Sequence, residues 1–188
     1  MSIARRELIL GGQKSGNSRR GEQLAAAWLA RSPAHRAVLI ATAQALDAEM
    51  RARIARHRDD RALRVPAMTT VEEPLALAQA IRDHGAPGTL VLVDCLTLWL
   101  TNLMAPPGPP PASLGTDRAI AELLGAIADA PGPLVLVGNE IGLGVIPLGR
   151  EVRRFVDALG GLNQQVAAAC ERVTLMAAGL PLTLKELA

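Results

Sequence analysis

The chain has 188 residues, a length that suits one domain (1–188), and 49% of them are apolar, enough for a substantial core. The formal charge is only +2, Tyr is absent and the aromatics are Trp28, Trp99 and Phe155, which argues against nucleic acid as a partner because single strands bind on aromatic stacking platforms. Two cysteines, Cys95 and Cys170, are too few for a disulfide framework, lack metal-ligand spacing and sit in apolar stretches, so they read as reduced core residues.

Residues Met1–Arg6 contain no long apolar region, so no signal peptide is expected. The most apolar run, Thr89–Met104, is broken by Asp94, Thr97, Thr101 and Asn102 and does not predict a membrane span. The expectation is a soluble, cytoplasmic protein. Short apolar runs predict strands at Glu7–Leu10, Ala37–Ala41, Leu63–Pro66, Thr89–Val93, Leu134–Val137 and Val173–Met176. Helical patterns fall between them, at Ser18–Ala30, Ala45–His57, Pro74–His84, Leu96–Met104, Asp117–Asp129 and Arg150–Cys170. The alternation predicts an α/β fold of three layers around a mostly parallel sheet, with ligands at the carboxyl ends of its strands.

The first strand runs into Gly11-Gly12-Gln13-Lys14-Ser15-Gly16-Asn17-Ser18. Gly11, Gly16 and Ser18 fit G-x-x-x-x-G-K-[ST], a phosphate-binding loop, and only the lysine position fails, because Asn17 stands there. Glycines let backbone N–H groups turn inward around phosphate oxygens, and the following helix adds its positive end. Ser18 is placed to reach Mg2+. Asn17 can donate a hydrogen bond but brings no charge, whereas Lys14 lies in the same loop as a partial substitute. The plain alternative is a βα turn.

In the second helix, spacing pairs Asp47 with Arg51 and Glu49 with Arg53, and puts His57 one turn beyond Arg53. Arg51, Arg53, Arg56, Arg58, Arg61 and Arg64 surround it; guanidinium groups in this density suit polyphosphate. A neutral imidazole beside bound phosphate serves as nucleophile or proton acceptor. A solvated, salt-bridged helix face accounts for the same composition. The fourth strand ends in Asp94, the acidic position that holds Mg2+ directly or through water in phosphate-loop proteins. Ala105–Ala112, with five prolines, predicts an exposed loop. After the fifth strand, Gly138-Asn139-Glu140-Ile141-Gly142-Leu143-Gly144-Val145-Ile146-Pro147 brings polar groups to the same sheet edge. A dinucleotide fingerprint fails here because Pro147 replaces the third glycine and no helix opens directly. Arg150, Arg154 and Asp157 share one face of the last helix; Asn163 and Gln164 interrupt its apolar stretch and need hydrogen-bond partners. His35 and His84 read as surface residues. Leu180–Lys185 alternates and predicts a short edge strand.

Taken together, these segments resemble the bifunctional adenosylcobinamide kinase / adenosylcobinamide-phosphate guanylyltransferase family of cobalamin biosynthesis. The resemblance is carried by Gly11–Arg19, Ile40–Ala43, Asp47–Met50, Arg53–Arg58, Val93–Leu103, Asn139–Pro147, Arg154–Asp157 and Asn163-Gln164, nearly the whole chain. It implies a P-loop NTPase-like domain, usually a homotrimer, that phosphorylates adenosylcobinamide with ATP or GTP. It further implies transfer of GMP from GTP through a guanylylated histidine to adenosylcobinamide phosphate. By motif match His57 is the guanylylated residue, Ser18 and Asp94 hold Mg2+, and the phosphate loop holds the nucleotide phosphates. Glu140 joins His57 and Asp94 as a catalytic candidate, with Asn139, Arg58 and Arg154 at the nucleotide. The departure is Asn17, where the family normally has lysine; the loss is expected to cost roughly 100- to 1,000-fold in rate, by analogy with oxyanion donors. Gln13-Lys14 replaces the commoner small residue plus Arg and keeps a cation. Two other readings stand beside this one: a catalytically impaired GTP-binding homologue, and a P-loop kinase of another small metabolite.

Overall fold

The computed structural model of the protein describes residues 2–106 and 115–187. In chain order the elements are β1 (Arg6–Gly11), α1 (Asn17–Leu29), β2 (Arg36–Ala41), α2 (Ala48–Arg64), β3 (Thr69–Glu72), α3 (Leu77–His84), β4 (Thr89–Asp94) and α4 (Leu96–Met104). They continue as α5 (Thr116–Asp129), β5 (Leu134–Val137), α6 (Arg150–Ala169), β6 (Arg172–Ala177) and β7 (Leu180–Glu186). The seven strands form one sheet in the order β3-β2-β4-β5-β1-β6-β7. All neighbouring pairs are parallel except β6–β7. This is the three-layer α/β architecture expected from the sequence. The proline-rich stretch falls largely on residues 107–114 and lies outside the described residues.

Strand periodicity builds the core on both faces of the sheet. Leu8 and Leu10 of β1, with Val91 and Val93 of β4, pack among the buried residues of α3, α4, α5 and α6. Ile9, Leu90 and Leu92 point the other way, toward Leu24 and Ala25 of α1. Both cysteines are buried and unbridged. The predicted tail strand is β7, which adds to β6 through a tight turn where Ala178 and Gly179 have φ of 52° and 79°. That turn touches the first loop of the chain: Gly179 N–H donates to the Ser15 carbonyl at 3.0 Å.

Three boundaries differ from the sequence reading. No strand forms at Leu63–Pro66. Leu63 and Arg64 complete α2, and the strand comes later, at Thr69–Glu72. Proline at 66 disfavours helix at the residue before it, so Val65 turns out of the helix at φ −141° and ends α2 there. The start of α2 is set by Asp47, which is extended and accepts a hydrogen bond from Met50 N at 2.7 Å. Asp47 therefore caps the helix, and the expected Asp47–Arg51 pair is replaced by this bond. The ion pairs of α2 are Arg64 with Asp60, Arg64 with Glu22 on α1, and Arg58 with Glu72 on β3. Finally, α3 begins at Leu77 rather than Pro74, after the Glu73 carboxylate has accepted from Leu75 N and Ala76 N at 2.9 and 2.8 Å.

Helix α2 stands apart from the other helices: none of its residues is buried. It adds no side chain to either core and lies across the carboxyl edge of the sheet, fastened by charge.

Candidate functional site

The carboxyl ends of β1, β4 and β5 converge on a cavity of about 490 Å3, within the range of small-ligand sites. Its walls come from the β1–α1 loop (Gln13, Lys14, Gly16, Asn17, Ser18), from one face of α2, from Asp94 and from Asn139. Arg53, His57, Arg61 and Arg64 are the α2 side chains on that wall at helical spacing, joined by Arg56 and Arg58.

The loop is shaped by two glycines. A Cβ on Gly11 would lie 2.2 Å from Ser15 Oγ and 2.9 Å from the Met176 carbonyl, so the loop closes over β1 only without a side chain there. Gly16 sits at φ 98° as the N-cap of α1 and provides no side-chain cap. Ser15 N–H donates to the Gly12 carbonyl at 3.1 Å and closes the turn between them. Asn17 is buried; its Nδ2 donates to the Gly138 carbonyl at 3.2 Å, and its Oδ1 accepts from Ser18 N at 2.9 Å. The side chain that replaces the usual lysine thus ties the loop to the end of β5.

Burial of Asp94 raises the pKa of its carboxyl above the ordinary carboxylate range, while a hydrogen bond from Ser18 and the positive charges of His57, Arg61 and Arg53 oppose the shift. A hydroxyl beside a carboxylate is a donor set for a hard cation. Among the described residues no three metal-binding side chains cluster. The pair therefore fits Mg2+ shared with phosphate and water, rather than an ion caged by protein.

Behind Asp94, Thr97 Oγ1 accepts from Asn139 N at 2.8 Å, and Asn163 Nδ2 donates to the Asn139 carbonyl at 3.1 Å. These two bonds fix the backbone that presents Asn139 to the cavity; the Asn163 amide nitrogen is satisfied there, while its buried Oδ1 has no partner among the described residues. Gln164, by contrast, is exposed.

The predicted residues do not all meet. Gly11, Gly12 and Ser15 form the loop's body, behind the wall. Arg58 is on the wall but paired with Glu72. Glu140 lies off the wall: its carboxylate accepts from Gly142 N at 2.7 Å, and its N–H donates to the Gly11 carbonyl at 3.1 Å, bracing the loop. Arg154 is exposed on α6, also off the wall. His35 and His84 are both partly exposed; His35 stacks on Trp28 with ring centroids 3.8 Å apart. Sequence reasoning missed Glu22, a buried carboxylate on α1 that anchors Arg64. Its only signal is an acidic residue amid the apolar positions of an amphipathic helix.

A glycine loop joining β1 to a helix, and an acid ending β4 on the far side of β5, define a protein of the phosphate-loop NTPase-like α/β class. Flagellar accessory protein FlaH from Methanocaldococcus jannaschii shares the fold, with a TM-score of 0.53 at 11% identity over 98% of this chain and 80% of that one. The family model described as cobinamide kinase / cobinamide phosphate guanyltransferase matches residues 7–184, and the chain belongs to this family. The bifunctional adenosylcobalamin biosynthesis protein CobP of Pseudomonas aeruginosa is 51% identical over 96% of this chain and 97% of its own length. The bifunctional adenosylcobalamin biosynthesis proteins CobU of Salmonella typhimurium and Escherichia coli are 36% and 34% identical, each over 95% of this chain and 98% of their own lengths.

Proposed function

We propose that this protein phosphorylates adenosylcobinamide and then transfers GMP from GTP to the phosphorylated product, through a covalent intermediate on His57. The carrying observation is the shared cavity: the imidazole, the phosphate loop and the Ser18–Asp94 pair line one space. In the guanylyl half-reaction an imidazole nitrogen of His57 attacks the α-phosphorus of GTP. The P–N bond forms as the bond to pyrophosphate breaks; the substrate's phosphate oxygen then attacks the same phosphorus and frees the imidazole. Splitting the transfer into two displacements avoids one difficult step. Ser18 and Asp94 would hold Mg2+, which supplies Lewis-acid stabilisation of charge on the leaving pyrophosphate. The arginines of α2 would support the same charge. ATP or GTP would serve the kinase step at the same loop. Glu140 acts by bracing the loop, and Arg154 stands ready for the part of the substrate that extends beyond the cavity.

We infer self-association as well, as a homotrimer by analogy with the family. Leu143, Val145, Ile146, Leu148 and Val152 beside the site, and Leu180, Leu182 and Leu184 on β7, are large apolar residues that one copy leaves exposed. No helix among the described residues is long and apolar enough to cross a membrane, and we place the activity in the cytoplasm.

Intact-protein mass after incubation with GTP and Mg2+ tests the mechanism. The expected result is an acid-labile gain of one GMP that is absent in His57→Ala. A gain that persists in His57→Ala defeats the assignment of the nucleophile. A second reading has its own observation: Asn17 is held in bonds to Gly138 and Ser18, so the loop lacks the usual charge. On that reading the protein binds GTP without turnover, and Asn17→Lys restores the adduct.

A further inference from the structure

Asn17 is not available to replace the missing lysine. Its amide nitrogen is committed to the Gly138 carbonyl and its amide oxygen to Ser18 N–H, and the residue is buried. The span Gly11–Ser18 nevertheless contains one cation, Lys14. Lys14 is held at φ 59°, in the left-handed region where a Cβ crowds the backbone and glycine is at ease. Its ammonium has no hydrogen-bond or ion-pair partner among the described residues, and its side chain lines the cavity. Of the other cations on the wall, Arg58 has Glu72, Arg64 has Glu22 and Asp60, and Arg61 lies in the fields of Glu22 and Asp94; Arg19, Arg53 and Arg56 line it from the two helices, outside the loop itself. An exposed, unpartnered lysine held in a backbone conformation that favours glycine is not accounted for by the fold, and the cavity it lines offers it a use.

We propose that Lys14 supplies the positive charge to the outer phosphates of a bound nucleoside triphosphate, in place of the lysine absent at position 17. The inference rests on the nucleotide reading above. With the α-phosphorus facing His57 on α2, the loop is left to wrap the β- and γ-phosphates, so charge on the loop acts on those two groups. The cation enters from the crest of the loop rather than from the first turn of α1. Position 17 is thereby released to tie the loop to β5.

Calorimetric titration of GTP and of GMP, with Mg2+, into the protein and its Lys14→Met, Lys14→Arg and Lys14→Gly variants tests this. A charged hydrogen bond predicts that Lys14→Met and Lys14→Gly weaken GTP binding about 10- to 100-fold. GMP, lacking the outer phosphates, should hold within about threefold, and Lys14→Arg should hold GTP within the same margin. Lys14→Gly relieves the left-handed backbone and should melt at or above the parent temperature even as GTP affinity falls. The proposal is overturned by undiminished GTP affinity in Lys14→Met, by equal losses for GTP and GMP, by a Lys14→Gly protein that melts below the parent, or by Arg19→Met alone reproducing the loss. A parent protein that binds no GTP overturns this inference together with the proposed function. A parent that binds GTP with Lys14→Met unimpaired overturns only this inference.

Discussion

Asp94 carries a conflict that the site is built to resolve. Burial disfavours its ionised form, and Ser18, His57, Arg61 and Arg53 recover only part of that cost. A carboxyl whose folded pKa is raised lowers stability at neutral pH and relieves the protein as pH falls through the folded value. Asp94→Asn should therefore raise Tm in metal-free buffer while abolishing the Mg2+ dependence of GTP binding; a lower Tm would show that the charge is already compensated. Cys170 gives an independent test of the core. Burial pushes its thiol from 9.0 up to about 12. Between these values the unfolded chain ionises and the folded one does not, so stability falls as pH rises. At pH 10 this one thiol should remove roughly 1 kcal/mol relative to pH 8. Urea denaturation at the two pH values, with Cys170→Ala as the control that lacks this component, measures it.

The element that merits the closest test is α2. Its candidate nucleophile rides on a helix with no buried residue, so ion pairs and an N-cap do the work that apolar packing does elsewhere. Arg64→Met strands the Glu22 carboxylate, whose side chain is 4% exposed. The expected loss is about 1–3 kcal/mol, toward the lower end because Arg64 is partly in water and Arg61 stands by. Asp47→Ala removes the cap and should cost about 1 kcal/mol of local helix stability. Hydrogen exchange across α2 should rise in both variants while the amides of β1 and β4 stay protected; uniform loss across the protein would show α2 to be part of the cooperative core. High salt should loosen the same helix, because exposed pairs are screened within about 3 Å at 1 M ionic strength.

At the scale of the molecule, the sheet was legible because its central strands are apolar throughout and separated by helical periods. The β1, β4 and β5 runs need no tertiary information to be recognised. The strand expected at Leu63–Pro66 failed because an arginine-rich stretch of good helix formers carried α2 past a short apolar pair, and only the Val65-Pro66 step stopped it. The cavity's inner wall was legible at Gly16, Ser18, Asp94 and Asn139, since each lies at the carboxyl end of a strand or in the loop that leaves it. Glu140 and Arg154 were harder, because motif membership fixes neighbourhood and not direction: one turns its carboxylate back on its own loop, and the other projects from an exposed face of α6. Self-association lies beyond the reach of one chain's pattern. Sedimentation across a concentration series should show a trimer that Val145→Glu and Leu148→Glu dissociate; a monomer at all concentrations would remove that part of the proposal.

The β6–β7 hairpin has a consequence of its own. Gly179 reaches from its turn to the Ser15 carbonyl, so two stretches far apart in sequence share one hydrogen bond. Stiffening the first should quieten the second. Filling the phosphate loop should slow amide exchange at Gly179, and shortening the hairpin should blunt affinity at a site it never borders. On that expectation the hairpin would serve as a gauge of occupancy, read by NMR from a single glycine amide; unchanged exchange at Gly179 on adding GTP would refute it.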